Sequence, residues 1–156
     1  MIKKNDLLEY FYKGIKSKNN LNIGVEHEKF ALNKKTLKPL SYYETGGISD
    51  IFNQLIDSGW TPIKEGKKNI IIGLQRNSEF ITLEPGGQIE LSGAPLSNIH
   101  LTCSETTNHL NEIKKLSEKN NFILLGLGVE PNLKLNNFPW MPKDRYMIMK
   151  NYMPKV

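Results

Sequence analysis

Two pairs of glutamates pose the chemical question. In "VEHEKF" (25–30), Glu26 and Glu28 stand two residues apart. Strand side chains alternate, so both carboxylates would leave one face, about 7 Å apart, with His27 and Lys29 on the other. Two hard oxygen ligands on a stiff strand suit Mg²⁺ or Mn²⁺ better than zinc, which prefers His or Cys. By itself the spacing also describes a solvent-facing edge strand, the more frequent case. In "ITLEPGGQIELSGAP" (81–95), Glu84 and Glu90 flank Pro85-Gly86-Gly87, where the chain can bend or bulge. Gln88 and Glu90 repeat the i, i+2 spacing, so one face of this second segment is polar too. A sheet face with several carboxylates is costly unless cations occupy it, which strengthens the metal reading beyond either motif alone.

The elements that must position these groups follow from hydrophobic period. Residues 5–20 read as a helix capped by Asn5 or Asp6, with Leu7, Leu8, Phe11 and Ile15 as its stripe. Residues 21–32 alternate and read as a strand. A second helix spans 46–60, striped by Ile48, Ile51, Phe52, Leu55 and Ile56, with Gly59 just past its end. Residues 69–85 read as a hairpin, and 87–93 as a further strand. The longest helix runs from Ser97 or Asn98 to Asn121, with Leu101, Thr102, Thr106, Leu110, Ile113 and Leu116 on one face. The apolar run 122–131 reads as a buried strand, 132–143 as irregular, and 144–153 as a short final helix. This order predicts an α+β fold, a mostly antiparallel sheet flanked by helices.

Composition removes several classes. A chain of 156 residues is long enough for one core. The single cysteine, Cys103, cannot form an internal disulfide and reads as a small buried helix residue. The first residues lack a signal-peptide pattern, and no apolar run approaches the roughly 18 residues of a membrane span, so a soluble cytoplasmic protein is expected. The net charge is +5, but residues 41–100 carry four basic and seven acidic side chains. Lysines are scattered, without the interleaved aromatics of a nucleic-acid surface, so no nucleic-acid partner is expected. There is no phosphate-binding G-x-x-x-x-G-K-[ST], and Pro131 breaks the dinucleotide pattern begun by Gly126 and Gly128. Arg76 sits in the turn "RNSE", with phosphate as a conceivable ligand. Trp60 and Trp140 read as core or interface residues.

Three strings, "IGVEHEKF", "GLQRNSEFITLEPGGQIELSGAPLSNIHLTCSE" and "MPKDRYMIMKNYMPKV", resemble the glutamate–cysteine ligases of plants and many proteobacteria over about residues 22–156. Family members are several hundred residues long, so residues 1–156 would be the N-terminal part of a single catalytic domain. The resemblance implies a glutamine synthetase-like fold whose sheet carries carboxylates on one face. It implies ATP-dependent joining of the L-glutamate γ-carboxyl to the amine of L-cysteine through γ-glutamyl phosphate, the first step of glutathione synthesis, with Mg²⁺ or Mn²⁺. Phosphoryl transfer between anions needs cations to hold and neutralise them. On this pattern Glu26, Glu28, Glu84 and Glu90 would be metal ligands or their close neighbours, and Glu28, Glu90 and Arg145 would act in catalysis. Pro85-Gly86-Gly87 would let substrate approach the backbone. Gln88, Ser92, Arg145 and Tyr146 would bind substrate, the arginine by pairing with a carboxylate or phosphate. The alternatives are a γ-glutamyl ligase with another amine acceptor, and an inactive metal- or glutamate-binding fragment. If later strands are missing, apolar surface is expected along 70–74 and 122–129.

Overall fold

The computed structural model describes residues 2–132, 134 and 137–155. Six strands form one sheet in the order β2-β3-β4-β5-β1-β6, every pair antiparallel. They are β1 (Glu26–Asn33), β2 (Thr61–Glu65), β3 (Ile70–Arg76), β4 (Glu79–Leu83), β5 (Gln88–Ser92) and β6 (Phe122–Leu125). The helices are α1 (Lys4–Gly14), α2 (Ile48–Asp57), α3 (Ile99–Asn120) and α4 (Asp144–Tyr152). The α+β expectation is met.

One sheet face carries the core. Leu74, Ile81, Leu83, Ile89 and Leu91 are sealed there with Ile48, Ile51, Phe52 and Leu55 of α2 and Ile113 and Leu116 of α3. Each such side chain contributes about 1.5–3 kcal/mol relative to exposure. The helix signals read from sequence operate: Asn98 caps α3 by accepting from the Leu101 amide at 3.1 Å, and Asn121 ends it in the left-handed region at φ 57°. Gly59 sits just past α2 with φ +99°.

Several expectations are corrected. α1 stops at Gly14, because Ile15 turns extended, and its cap is Lys3, whose amide donates to Asp6 Oδ2 at 2.8 Å. None of its residues is buried, so its apolar stripe never reaches the core. β1 begins at Glu26 rather than residue 21; upstream, Ile23 makes only an isolated bridge to Leu96. The sequence reading assigns no element to 61–68, where the structure has β2; as an edge strand it tolerates Pro62, a residue without an N–H. β6 is neither ten residues long nor buried throughout: it is a four-residue edge strand, ended before Gly126 and Gly128. On α3, Leu101 and Leu110 are exposed, while His109 faces the core beside Thr102, Ile113 and Leu116. Cys103 is exposed, not buried. The expected apolar surface occurs at Leu125, Leu127 and Val129 but not along 70–74, which is partly or fully covered.

Candidate functional site

The register builds an acidic sheet face. Across β1 and β5, Glu28 pairs with Glu90, Glu26 with Ser92 and Phe30 with Gln88; across β4 and β5, Thr82 pairs with Glu90. Directly paired residues of antiparallel strands share a face. The Glu84 amide donates to the Gln88 carbonyl at 3.0 Å, extending the pairing to the hairpin end. Glu26, Glu28, Glu84 and Glu90 therefore share one face, opposite the apolar core. His27 and Lys29 point to the core side.

Glu90 is the fixed member. It is 8% exposed, and its two carboxylate oxygens accept from Ser92 Oγ at 2.9 Å and Thr82 Oγ1 at 3.0 Å. Glu28 is exposed and accepts from Gln88 Nε2 at 2.8 Å. Glu26 lies exposed at the start of β1. Burial raises the pKa of Glu84, and the Glu90 carboxylate beside it raises it further, against the pull of Lys143 and Arg145.

The basic groups arrive from the segment entering α4. The Met141 amide donates to the Pro85 carbonyl at 3.1 Å, and the Asp144 amide, at the start of α4, donates to Glu65 Oε2 at 2.8 Å. An anionic side chain suits that helix end. Docked this way, Lys143 is buried and donates from Nζ to the Leu83 carbonyl at 2.9 Å; burial, then Arg145, lowers its pKa. Tyr146 is 1% exposed, donates its hydroxyl to the same carbonyl, and accepts from Arg145 Nη2 at 3.0 Å. The Arg145 guanidinium lies 4.9 Å from the tyrosine ring centroid. Arg145 is exposed, and among the described residues its hydrogen-bond partner is Tyr146. Tyr146 is thus an internal anchor whose hydroxyl is engaged by the protein.

Sequence reasoning missed Thr82 and Lys143. Thr82 looks like an ordinary sheet former, and Lys143 reaches its partner across 60 positions of sequence. The Pro85-Gly86-Gly87 hinge is a tight hairpin turn, with Gly87 at φ +92°. The group closely approaching it is the protein itself: a Cβ on Gly86 would stand 3.1 Å from the Phe138 ring, and one on Gly87 3.2 Å from Met141 Cε. Arg76 is not a free anion site. It pairs with Glu79 at 2.8 Å and with both oxygens of Glu112 at 3.1 Å, stacked 4.1 Å over the buried Trp60 ring. Behind the acidic face, Lys29 is buried, its Nζ donating to the His27 carbonyl at 2.7 Å; burial lowers its pKa to about 8, against the attraction of Glu90.

Among the described residues, no group of three or more His, Cys, Asp and Glu side chains is already gathered as a metal cage. The four glutamates share a face without converging on one point. The donor set nevertheless fits a hard divalent cation: all oxygen, on rigid strands, with a Glu84–Glu90 pair held against its own repulsion.

Comparison with known proteins gives a consistent answer. The sequence model of the family described as "Glutamate-cysteine ligase family 2" matches residues 22–156. "Glutamate--cysteine ligase B, chloroplastic" of Oryza sativa subsp. japonica is 47% identical over 154 residues, covering 98% of this chain and 30% of the relative. The chloroplastic enzymes of Solanum lycopersicum and Arabidopsis thaliana are 46% and 44% identical over 98% of this chain and 28% of their own lengths. The chain spans less than a third of the length of these relatives. All three are chloroplastic by name, which overturns the cytoplasmic expectation.

Proposed function

Because this chain belongs to glutamate–cysteine ligase family 2, we propose that its sheet is the acid-bearing part of a catalytic domain joining the γ-carboxyl of L-glutamate to the amine of L-cysteine at the expense of ATP. The observation that carries the reading is the register that sets Glu28 opposite Glu90, with Thr82 and Ser92 fixing the buried carboxylate. The antiparallel sheet with helices on one face and carboxylates on the other also suits a glutamine synthetase-like fold, of which residues 1–156 would be the N-terminal part.

Glu28, Glu84 and Glu90, with Glu26 at the margin, would hold Mg²⁺ or Mn²⁺, which when bound neutralises phosphate charge in the transfer from ATP. The remaining work falls to this chain's own groups. Thr82 and Ser92 keep Glu90 oriented, and Gln88 steadies Glu28. Arg145, stacked on Tyr146 and free to reach solvent, presents a planar fork to a substrate carboxylate or to the γ-glutamyl phosphate. Lys143, sealed beneath, adds positive charge where two anions must meet. The cysteine amine then displaces phosphate from the acyl carbon.

Phosphate release by the full-length protein tests this, with ATP, Mg²⁺, L-glutamate and L-cysteine each omitted in turn. Release that needs all four is expected. Release lost on omission of L-cysteine but restored by another amine would favour a related γ-glutamyl ligase, and release independent of L-glutamate would refute the proposal.

A further inference from the structure

Every one of the eleven residues of α1 is exposed. In water a helix this short is marginal by itself, because most helical stability in proteins comes from packing an apolar face. α1 has such a face. Lys4, Leu7, Leu8 and Phe11 stand at i, i+3, i+4 and i+7, the spacing by which a helix lies in a groove. Leu7 is 55%, Leu8 43% and Phe11 72% exposed. Asp6, Glu9 and Lys13 occupy the other side, the last two paired at 3.9 Å.

The charges on α1 select what covers this stripe. Its polar side carries two carboxylates to one ammonium, the reverse of a helix that lies on an anionic membrane, whose polar face is rich in Lys and Arg. Lys4 heads the stripe itself while the acidic residues lie opposite, so a second α1 offers that lysine no counter-charge. The surface that fits is an apolar groove with a carboxylate at one end. Chain to build such a groove exists, since the relatives are matched over only 28–30% of their own lengths. That match covers 98% of this chain and so takes in α1, whereas the family's sequence model starts at residue 22. α1 is also on a short tether. Residues 15–22 join it to Ile23, which is held to Leu96 by two backbone hydrogen bonds of 2.7 and 2.8 Å. Such a tether reaches no more than about 29 Å and keeps α1 at a local concentration of about millimolar, which favours a partner in the same polypeptide.

We propose that α1 docks, through Lys4, Leu7, Leu8 and Phe11, into an apolar groove ending in an aspartate or glutamate and built by the polypeptide that follows Val156. The proposal rests on residues 1–156 being the N-terminal part of a longer domain, and not on the reaction that domain performs. Docked in this way, α1 fastens the outer end of the segment leading into β1, the strand that carries Glu26 and Glu28. The clasp holds the margin of the acidic face without touching a reacting group.

Photocrosslinking and hydrogen exchange on the full-length protein test this, and neither needs substrate or turnover. With p-benzoylphenylalanine in place of Phe11, crosslinks should form within one polypeptide to residues beyond Val156, at a yield independent of protein concentration. The α1 amides should exchange at least about 100-fold more slowly than unstructured chain, whereas an undocked terminal helix shows almost no protection. Phe11→Ser should abolish that protection and Lys4→Glu should weaken it at least roughly tenfold, the loss of one charge-assisted contact. Tyr10→Ser, off the stripe, should preserve it. Crosslinks only between copies, crosslinks only to residues before Val156, or α1 amides exchanging at unstructured rates each overturn the proposal. So does capture by phosphatidylglycerol vesicles that Phe11→Ser abolishes. Protection lost in Tyr10→Ser, or unchanged in Phe11→Ser or Lys4→Glu, overturns it equally. An inactive protein in which the crosslink still forms refutes the ligase reading and leaves the docking standing.

Discussion

Glu90→Gln is the sharpest test of the acidic face, because its effects on stability and on activity separate. The substitution keeps shape and removes one buried charge. Two hydroxyls, Thr82 Oγ1 at 3.0 Å and Ser92 Oγ at 2.9 Å, now donate to that charge. Hydrogen bonds to a charged group contribute about 1.5–3 kcal/mol each and neutral ones about 0.5–1.5, so exchanging both costs about 2 kcal/mol. Against this, the glutamine needs less desolvation in a site only 8% exposed, and the repulsion with Glu84 disappears. These gains are of similar size, so net stability should change by no more than about 1 kcal/mol, or about 2–4 °C in Tm for a chain of this length. Turnover should fall at least about 100-fold, equivalent to about 2.7 kcal/mol of transition-state stabilisation. The assay is phosphate release by full-length protein at saturating Mg²⁺, beside thermal unfolding. A third readout is the Glu84 carboxyl titration followed by NMR: it should move down, because one of its raising causes is gone, while burial, the largest, remains. Turnover within about threefold of wild type, with the fold intact, would refute the assigned role of this face.

Two further outcomes are expected. His109 is fully buried with neither ring nitrogen hydrogen-bonded among the described residues, and burial, then Lys29, lowers its pKa to about 3. The unfolded ring binds a proton near 6.5 and the folded one does not, so stability is full above that pH and falls as pH drops towards 3, by about 2 kcal/mol at pH 5; His109→Leu should flatten this, and an unchanged Tm difference between pH 7.5 and pH 5 would rule it out. Tyr146→Phe removes the anchor of Arg145 but leaves Lys143 on the Leu83 carbonyl at 2.9 Å, so Tm should fall by only a few degrees, about 1 kcal/mol, while KM for L-glutamate or ATP rises; unaltered KM values would detach Arg145 from substrate.

What was legible in the sequence was local. Asn98 and Asn121 mark both ends of α3 because short polar side chains cap helices and tolerate positive φ. The alternation of "VEHEKF" fixed the side on which Glu28 leaves β1. That Glu28 lies opposite Glu90 is a matter of the register between β1 and β5, strands far apart in sequence, which no local pattern fixes. Local period failed where burial came from afar. The α1 stripe looks like a core face but none of its residues is buried, and His109 sits in the core although its residue type reads as polar. The clasp of Lys143 and Tyr146 on Leu83 spans 60 and 63 positions, beyond any periodicity. β2 went unassigned, and its Pro62 sits where a missing N–H is harmless, at the rim of the sheet.

The hairpin turn at 85–87 binds these parts into one unit. Its Pro85 carbonyl receives the Met141 amide and so seats the segment that carries Lys143, Arg145 and Tyr146. Its Gly86 accommodates the Phe138 ring, which a Cβ would meet at 3.1 Å. Its flanks are Glu84, in the acidic face, and Gln88, which holds Glu28. The same three residues thus tie the carboxylates to the segment that carries the arginine. On the proposed ligase reading, a carboxylate, a phosphate and an amine must meet at distances held to within about 1 Å. The glycines are therefore required by the chain's own packing, and through that packing by the geometry of the site. Substrate need not touch them for the turn to matter.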